Sequence, residues 1–440
     1  MPIGEIPIDA PPPTGALAAA WQRLKTNPLA HVGPGLITGV ADDDPSGIAT
    51  YSQAGAQFGL NMLWTMPLAY PLMAAIQSIC ARIGRVTGKG LAANIKTAFP
   101  APVLRLVVLV LLIANTLNIA ADVAAMGEVS ELVTHVDRHL MTVVFVLVTL
   151  GLQMFVPYHR YVRFLKWLTL SLLAYAAVLF TVHVPWDQVA LRTVWPQLSL
   201  NAATATMVVG IFGTTISPYL FFWQAAEEVE DEQENPDAQP LTRAPEQAPA
   251  EMSRIRVDTY LGMAASNLIA LFIIITTAAT LNAHGVKDIQ TSSQAAEALR
   301  PIAGEFAFAV FAAGIIGTGL LALPVLAGSA AYALGEARGW PVGLARKPNQ
   351  AKAFYGAIAA ATLIGAVMNF TPIDPIKALF WSAVINGVAA APIMAMMMLL
   401  TMRRDIMGGF TLPRALQAIG WIATIVMGVA TVAMIVTAFV

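Results

Sequence analysis

Long apolar runs alternate with short polar segments along almost the whole chain. An apolar helix needs roughly 20 residues to cross the hydrocarbon part of a bilayer. Eleven runs are about that long, and we predict one transmembrane helix for each, numbered spans 1–11. They cover residues 34–58, 60–82, 102–127, 139–157, 164–184, 200–226, 257–281, 304–335, 352–370, 374–401 and 416–439.

The composition agrees with a membrane protein and excludes a soluble one. Hydrophobic residues make up 57% of the 440 residues and charged residues 12%, about half of the charged share of a soluble protein. Lipid is therefore the expected partner, and no obligate protein partner is implied. The net charge of −1 gives no reason to expect nucleic acid binding, and the single cysteine, Cys80, allows no intramolecular disulfide.

Basic residues are distributed unevenly between the two sides of the predicted bundle. If the N-terminus lies inside, the inner segments hold twenty Lys and Arg residues and the outer segments hold five. Positively charged loops remain in the cytoplasm. We therefore predict a plasma (inner) membrane protein whose N-terminal tail, residues 1–33, is cytosolic and not a signal peptide. With an odd number of spans, the C-terminus lies outside.

The spans group into two blocks of five. Spans 1–5 occupy residues 34–185, spans 6–10 occupy residues 199–401, and span 11 (416–439) follows. Because five is odd, the second block would cross the membrane upside down relative to the first. One sizeable polar insertion, residues 227–256, follows span 6 on the inner side and contains four prolines. We expect it to be a mobile linker that begins with the solvated acidic end of a helix.

The first span of each block contains helix-breaking residues. In span 1, three aspartates precede Pro45 in GPGLITGVADDDPSGIATYSQAGA, and in span 6, Ser217 precedes Pro218 in GIFGTTISPYLFFWQA. Proline removes a backbone donor, and glycine tolerates unusual dihedral angles. Interrupted spans at matching positions of inverted halves are the best sequence indicator of a transporter's substrate site.

The chemistry at these breaks favours a cation. An unwound stretch leaves carbonyl groups unpaired, at a cost of several kcal/mol each unless a ligand replaces the lost bonds. Each carboxylate near the bilayer midplane costs at least about 2.5 kcal/mol on insertion scales. A bound cation would offset both costs at Asp42, Asp43 and Asp44. The alternative is that these aspartates cap the helix after Pro45 at the water boundary.

Four stretches resemble the natural resistance-associated macrophage protein (Nramp) family of metal transporters: GPGLITGVADDDPSGIATYSQAGAQFG, LMAAIQSICARIGRVTGKGLA, TTISPY and RVDTYLGMAASNLIAL. The resemblance implies an all-α membrane protein of LeuT-type fold, with 11 transmembrane helices, a 5+5 inverted repeat and unwound helices 1 and 6. It also implies transport by alternating access. We expect no enzymatic activity, because no span contains a Ser-Lys, His-Glu-x-x-His or Gly-x-Ser-x-Gly pattern.

The resemblance further implies a set of metal ligands. The aspartate ligand of the family corresponds to Asp44, and its two carbonyl ligands correspond to Ala41 and Thr214. The asparagine ligand of helix 1 is replaced by Gly47. The methionine ligand of helix 6 is replaced by Ser217.

The residues that the family uses for proton transfer are only partly kept. Tyr219 replaces the histidine of helix 6. Of two acids in helix 3, one corresponds to Asp122, a possible relay, and the other is replaced by Ala125. We therefore expect transport without proton coupling. The pattern is most similar to the Nramp-related magnesium transporter branch.

The types of ligand atom at the predicted site also indicate Mg²⁺. Thioether sulfur favours softer metals, whereas carboxylate, hydroxyl and carbonyl oxygens suit Mg²⁺ and Mn²⁺. With Ser217 in place of a sulfur, and with room beside Gly47 for a partly hydrated ion, we expect Mg²⁺ transport with Mn²⁺ also accepted. The ion is the substrate, and no cofactor is expected. The alternative is a proton-coupled Mn²⁺/Fe²⁺ importer of the main Nramp type.

Three further residues complete the predicted site. We expect Asp43 to bind the ion through water, and Asp42 and Asn386 to line the cavity around it. The alternatives are pairing of the aspartates with a buried donor and helix packing for Asn386. The metal ligands expected are Asp44, Asp43, Ala41, Thr214 and Ser217, and the cavity residues are Asp42, Gly47, Tyr219 and Asn386.

Overall fold

A computed structural model describes residues 38–39, 41–156, 168–197, 199, 201–370 and 374–439. These residues form helices and turns, and no strand occurs among them. The predicted tail 1–33 and the first residues of spans 1 and 5 lie outside them. The main helices are α1 (Pro45–Phe58), α2 (Thr65–Thr87), α3 (Ala101–Thr134), α4 (Arg138–Phe155), α5 (Leu173–Val178), α6 (Ala202–Thr215), α7 (Pro218–Glu234), α8 (Ala248–Thr280), α9 (Ala307–Arg338), α10 (Lys352–Met368), α11 (Pro375–Thr401) and α12 (Arg414–Thr437).

Short helices connect several of these elements. They are Leu91–Ala98, Trp186–Val194, Ser292–Ala296, Arg300–Ala303 and Arg404–Met407, with 3-10 turns at Gly59–Met62, Leu168–Leu172, Pro245–Gln247, Asn282–His284, Glu297–Leu299 and Gly304–Phe306.

The predicted all-α membrane architecture is confirmed, although fewer than eleven spans are recognised by length and hydropathy. Within the described residues, seven helical segments are long and apolar enough to cross a membrane, and they correspond to spans 3, 4, 6, 7, 8, 10 and 11. Spans 1 and 2 form a pair bent by 114°, and α10 has only 17 residues. The described parts of spans 1, 2, 5 and 9 therefore do not pass this test on their own.

Small residues allow the two broken spans to approach their neighbours closely. A Cβ atom on Gly39 would lie 2.4 Å from the carbonyl oxygen of Gly262 in α8. A Cβ atom on Gly213 in α6 would lie 2.0 Å from the carbonyl oxygen of Ala383 in α11. Such backbone contacts are the usual way in which small residues pack membrane helices. They bring span 1, α6, α8 and α11 together around the breaks.

The predicted linker 227–256 is largely helical, which corrects the expectation of a mobile segment. Helix α7 continues to Glu234, and α8 begins at Ala248. The connection between them is anchored to the end of α2, because the N–H groups of Leu241 and Thr242 each donate to an α2 carbonyl at 3.2 Å. The prolines and acidic residues correctly indicated that the segment is polar. They did not indicate the hydrogen-bond partners in α2 that order it.

Part of the acidic end of α7 is buried and paired, whereas the sequence suggested a solvated helix end; Asp231 and Glu234 are exposed, as expected. Glu228, with 0% side-chain exposure, pairs with Arg254 of α8. Arg254 also contacts Glu251 at 3.0 Å. Arg85 of α2 contacts Glu251 at 3.3 Å and Glu232 at 4.0 Å. A buried charge needs such partners because its desolvation is costly. The network therefore joins α2, α7 and α8 at one end of the bundle.

This network predicts that Arg254 is important for stability. Arg254→Met leaves buried Glu228 without its cation, and we expect a loss of about 3–5 kcal/mol. The thermal unfolding midpoint of the purified protein in detergent measures it. Arg300→Met is the control, because Arg300 pairs with Glu297 on the exposed surface, where ion pairs contribute little. Equal midpoints for both variants would contradict this account of the network.

Candidate metal site

The break in span 1 is stabilised by capping of α1. Ala41 and Asp42 are helical, Asp43 and Asp44 are not, and α1 starts at Pro45. The Asp44 Oδ1 atom accepts hydrogen bonds from the Gly47 N–H at 2.7 Å and the Ser46 hydroxyl at 2.6 Å. Aspartate is favoured at this position, and proline directly after it. Asp44 therefore caps α1 as the alternative reading proposed, but in the protein interior, where it is 1% exposed.

The two prolines remove the partners of the two predicted carbonyl ligands. In an α-helix, each carbonyl accepts from the N–H four residues later. Ala41 lies four residues before Pro45, and Thr214 lies four residues before Pro218, and proline has no N–H to donate. Both carbonyl oxygens are thus released from the helical pattern by the sequence itself.

Each released carbonyl is close to a side-chain hydroxyl. The Ser217 hydroxyl contacts the Thr214 carbonyl at 3.0 Å and the Gly213 carbonyl at 2.7 Å. The Tyr219 hydroxyl lies 3.5 Å from the Ala41 carbonyl and 3.3 Å from the Asp44 Oδ2 atom. A carbonyl, a carboxylate and a phenol oxygen therefore meet between the two breaks.

The three adjacent aspartates face different partners. Asp42 Oδ2 and Asp43 Oδ1 share the Ser266 hydroxyl of α8, at 2.6 and 3.0 Å. Asp44 Oδ2 instead accepts from the Asn118 amide of α3 at 2.9 Å. In the part of the chain that the structure describes, no three Asp, Glu, His or Cys side chains are grouped to hold a metal ion. An ion on Asp44 would therefore depend on carbonyl, hydroxyl and amide oxygens.

Gly47 lies where α1 and α6 approach each other. A Cβ atom at this position would be 3.1 Å from the Thr214 hydroxyl and 3.3 Å from the Tyr51 ring. A Cβ atom here would therefore be in tight contact with Thr214 and Tyr51, and the room expected for a partly hydrated ion stays a prediction. The missing side chain of Gly47 allows the two breaks to lie side by side.

The remaining predicted residues differ in how they connect to Asp44. Asp122 is buried on α3, one turn from Asn118, whose Nδ2 atom lies 3.5 Å from Asp122 Oδ2. Asn118 thus links Asp122 to Asp44. Asn386 on α11 is also buried, but neither of its amide atoms hydrogen-bonds to any described residue.

Asn118 and Ser266 were not among the site residues predicted from the sequence. Asn118 could have been found, because it precedes Asp122 by four residues and therefore shares its helix face. Ser266 could not be distinguished from the small residues that pack membrane helices.

Comparison with known protein families gives a match over nearly the whole chain. The family model described as Nramp, natural resistance-associated macrophage protein-like, matches residues 35–437. The divalent metal cation transporter MntH of Acidiphilium cryptum is 28% identical over 415 residues, covering 91% of this chain and 88% of that protein. The MntH protein of Deinococcus radiodurans is 26% identical over 443 residues, covering 96% and 95%.

Solved structures support the predicted LeuT-type fold. The manganese transporter of Eremococcus coleocola superposes with a TM-score of 0.71 at 18% identity, covering 95% of this chain and 87% of that one. Mhp1, a nucleobase-cation-symport-1 family transporter in a closed conformation, gives a TM-score of 0.55 at 14% identity, covering 93% of both chains. At such identities the likeness concerns the fold alone.

Proposed function

The chain belongs to the Nramp family and is a divalent metal cation transporter, and we propose that its preferred substrate is Mg²⁺, with Mn²⁺ also accepted. The proposal is that two inverted five-span blocks, residues 34–185 and 199–401, alternately open the site to each side of the membrane. The ion would bind between the breaks in spans 1 and 6.

One observation carries this proposal: the Ala41 carbonyl, the Asp44 carboxylate and the Tyr219 hydroxyl converge where both spans are interrupted. The Thr214 carbonyl at the end of α6 and the Ser217 hydroxyl in the break before α7 would add further oxygens. Oxygen ligands suit Mg²⁺ and Mn²⁺, whereas softer metals prefer sulfur. Asp42 and Asp43 would attract the cation from the other side of the break, with water between them and the ion.

We further propose that transport is not coupled to protons. A tyrosine hydroxyl stays protonated near neutral pH, whereas histidine gains and loses a proton in this range. Tyr219 occupies the position of the family's helix 6 histidine. The rival function is a proton-coupled Mn²⁺/Fe²⁺ importer. It is favoured by Asp122, because Asn118 connects this buried acid to Asp44.

Uptake into proteoliposomes tests the substrate and the coupling together. We expect a Mg²⁺ gradient to drive uptake without acidifying the lumen, as followed by a metal indicator and a pH dye. Asp44→Ala should abolish uptake because it removes the anionic ligand, whereas Asp405→Ala, at an exposed acid, should not. If the protein takes up Mn²⁺ or Fe²⁺ but does not transport Mg²⁺ at millimolar concentration, the Mg²⁺ assignment is refuted. If metal uptake acidifies the lumen, uncoupled transport is refuted.

Substitution of Ser217 tests the choice of ion. Ser217→Met introduces a thioether and removes a hydroxyl, so we expect Mg²⁺ affinity to fall about tenfold, or ~1.4 kcal/mol, with Mn²⁺ affinity retained. Isothermal titration with both ions gives the ratio. Ser253→Met, on the exposed side of α8, is the control. An unchanged Mg²⁺ to Mn²⁺ ratio would remove Ser217 from the selectivity determinants.

The orientation in the plasma membrane is proposed from the basic residues. We expect the N-terminus in the cytosol and the C-terminus outside, because twenty of the Lys and Arg residues then lie inside. A C-terminal alkaline phosphatase fusion should be active in bacterial cells, and a C-terminal green fluorescent protein fusion should be dark. The opposite pair of results would reverse the assignment.

A further inference from the structure

We propose that Asn118 is a metal ligand: its side-chain amide rotates when a cation binds to Asp44, so that Oδ1 coordinates the ion. This inference rests on the proposed function and adds a ligand to the same site. Asn118 corresponds to none of the ligands that the family resemblance supplies.

Asn118 is fully buried beside the carboxylate that would bind the ion. Its Nδ2 atom donates to Asp44 Oδ2 at 2.9 Å, and its Oδ1 atom has no hydrogen-bond partner among the described residues. A buried amide oxygen without a partner costs about 1–3 kcal/mol. A cation within reach of Asp44 would give this oxygen a partner.

The hydrogen bonds of Asp44 determine which of its oxygens is accessible to an ion. Oδ1 is engaged in capping α1, through the Gly47 N–H and the Ser46 hydroxyl. Oδ2 faces Asn118 and Tyr219 on the other side. The ion would therefore bind Oδ2, on the side of the carboxylate where Asn118 lies.

Helix 1 offers only a crowded position for an amide ligand. The missing asparagine would start from Gly47, where a Cβ atom meets the Thr214 hydroxyl at 3.1 Å and the Tyr51 ring at 3.3 Å. Both neighbours would have to shift by a few tenths of an ångström to admit it. Asn118 provides the same chemical group from α3 without this crowding.

Rotation of the amide resolves a competition for Asp44 Oδ2. An N–H group and a cation cannot both approach this oxygen from the same side, since both are positive. The terminal torsion of asparagine is broad and roughly two-fold, so exchange of Nδ2 and Oδ1 needs no new backbone conformation. Before the rotation, Nδ2 lies 3.5 Å from Asp122 Oδ2, and Oδ1 of Asp122 has no partner within the described ranges. Asp122 is therefore the acceptor on α3 that the displaced N–H would have to reach.

Two substitutions separate an oxygen ligand from a hydrogen-bond donor. Asn118→Leu removes both functions at similar volume, and we expect Mg²⁺ affinity to fall at least about tenfold in isothermal titration. Asn118→Asp keeps an oxygen but has no N–H, and we expect affinity within about threefold of wild type at neutral pH. If Asn118 only donates to Asp44, Asn118→Asp should be the more damaging variant, because two carboxylates would then face each other.

Asn115→Leu is the matched control. Asn115 lies on the same helix and is equally buried, but its Nδ2 atom donates to the Leu326 carbonyl and the Ser329 hydroxyl of α9, both at 2.8 Å. We expect it to lower the thermal unfolding midpoint without changing Mg²⁺ affinity by more than about twofold.

The outcomes distinguish this inference from the proposed function. If wild type binds no divalent cation, the proposed function fails. If wild type binds Mg²⁺ and Asn118→Leu binds equally well, only the role of Asn118 fails. If Asn118→Asp loses at least as much affinity as Asn118→Leu, Asn118 is a donor to Asp44 and the ligand assignment is overturned.

Discussion

The absence of two backbone N–H groups is the constraint on which the site depends. Pro45 and Pro218 each leave the carbonyl four residues earlier without its helical donor, and these carbonyls belong to Ala41 and Thr214. In the interior of a membrane protein such groups must find other partners. The fold gives them hydroxyl groups from Ser217 and Tyr219 and places a carboxylate beside one of them. These partners are few enough that an ion could replace them.

The surrounding helices keep three acids in a small volume and separate Asp44 from the pair Asp42 and Asp43. Ser266 of α8 holds Asp42 and Asp43 on one side, while α3 and α7 contact Asp44 on the other. Close backbone contacts at Gly39 and Gly213 bring the broken spans against α8 and α11. The separation reduces repulsion between the carboxylates and leaves one carboxylate oxygen of Asp44 directed toward exchangeable donors.

Much of this arrangement was predictable because the signals are local. The breaks follow from Pro45 and Pro218, and the long apolar runs predict helices that cross a membrane. The family resemblance added Asp44, Ala41 and Thr214 as ligands, and these residues do lie at the breaks. Whether they bind metal is a proposal that the experiments above address.

The parts that were missed depend on residues distant in sequence. The prolines and acids of segment 227–256 are evident in the sequence and predicted a mobile linker. The partners of this segment, Arg85 and the neighbouring end of α2, lie far away along the chain. The close approach of Thr214 to Gly47 could not be predicted, because it requires two helices to come together. A lone amide such as Asn118 gives no sign of its partner until the helices are assembled.

Anomalous X-ray diffraction from crystals containing Mn²⁺ tests the central claim most directly. We expect a single strong peak between the two breaks, within coordination distance of the Asp44 carboxylate and the Ala41 carbonyl. A map with no peak there, or with its strongest peak away from the broken spans, would contradict the account.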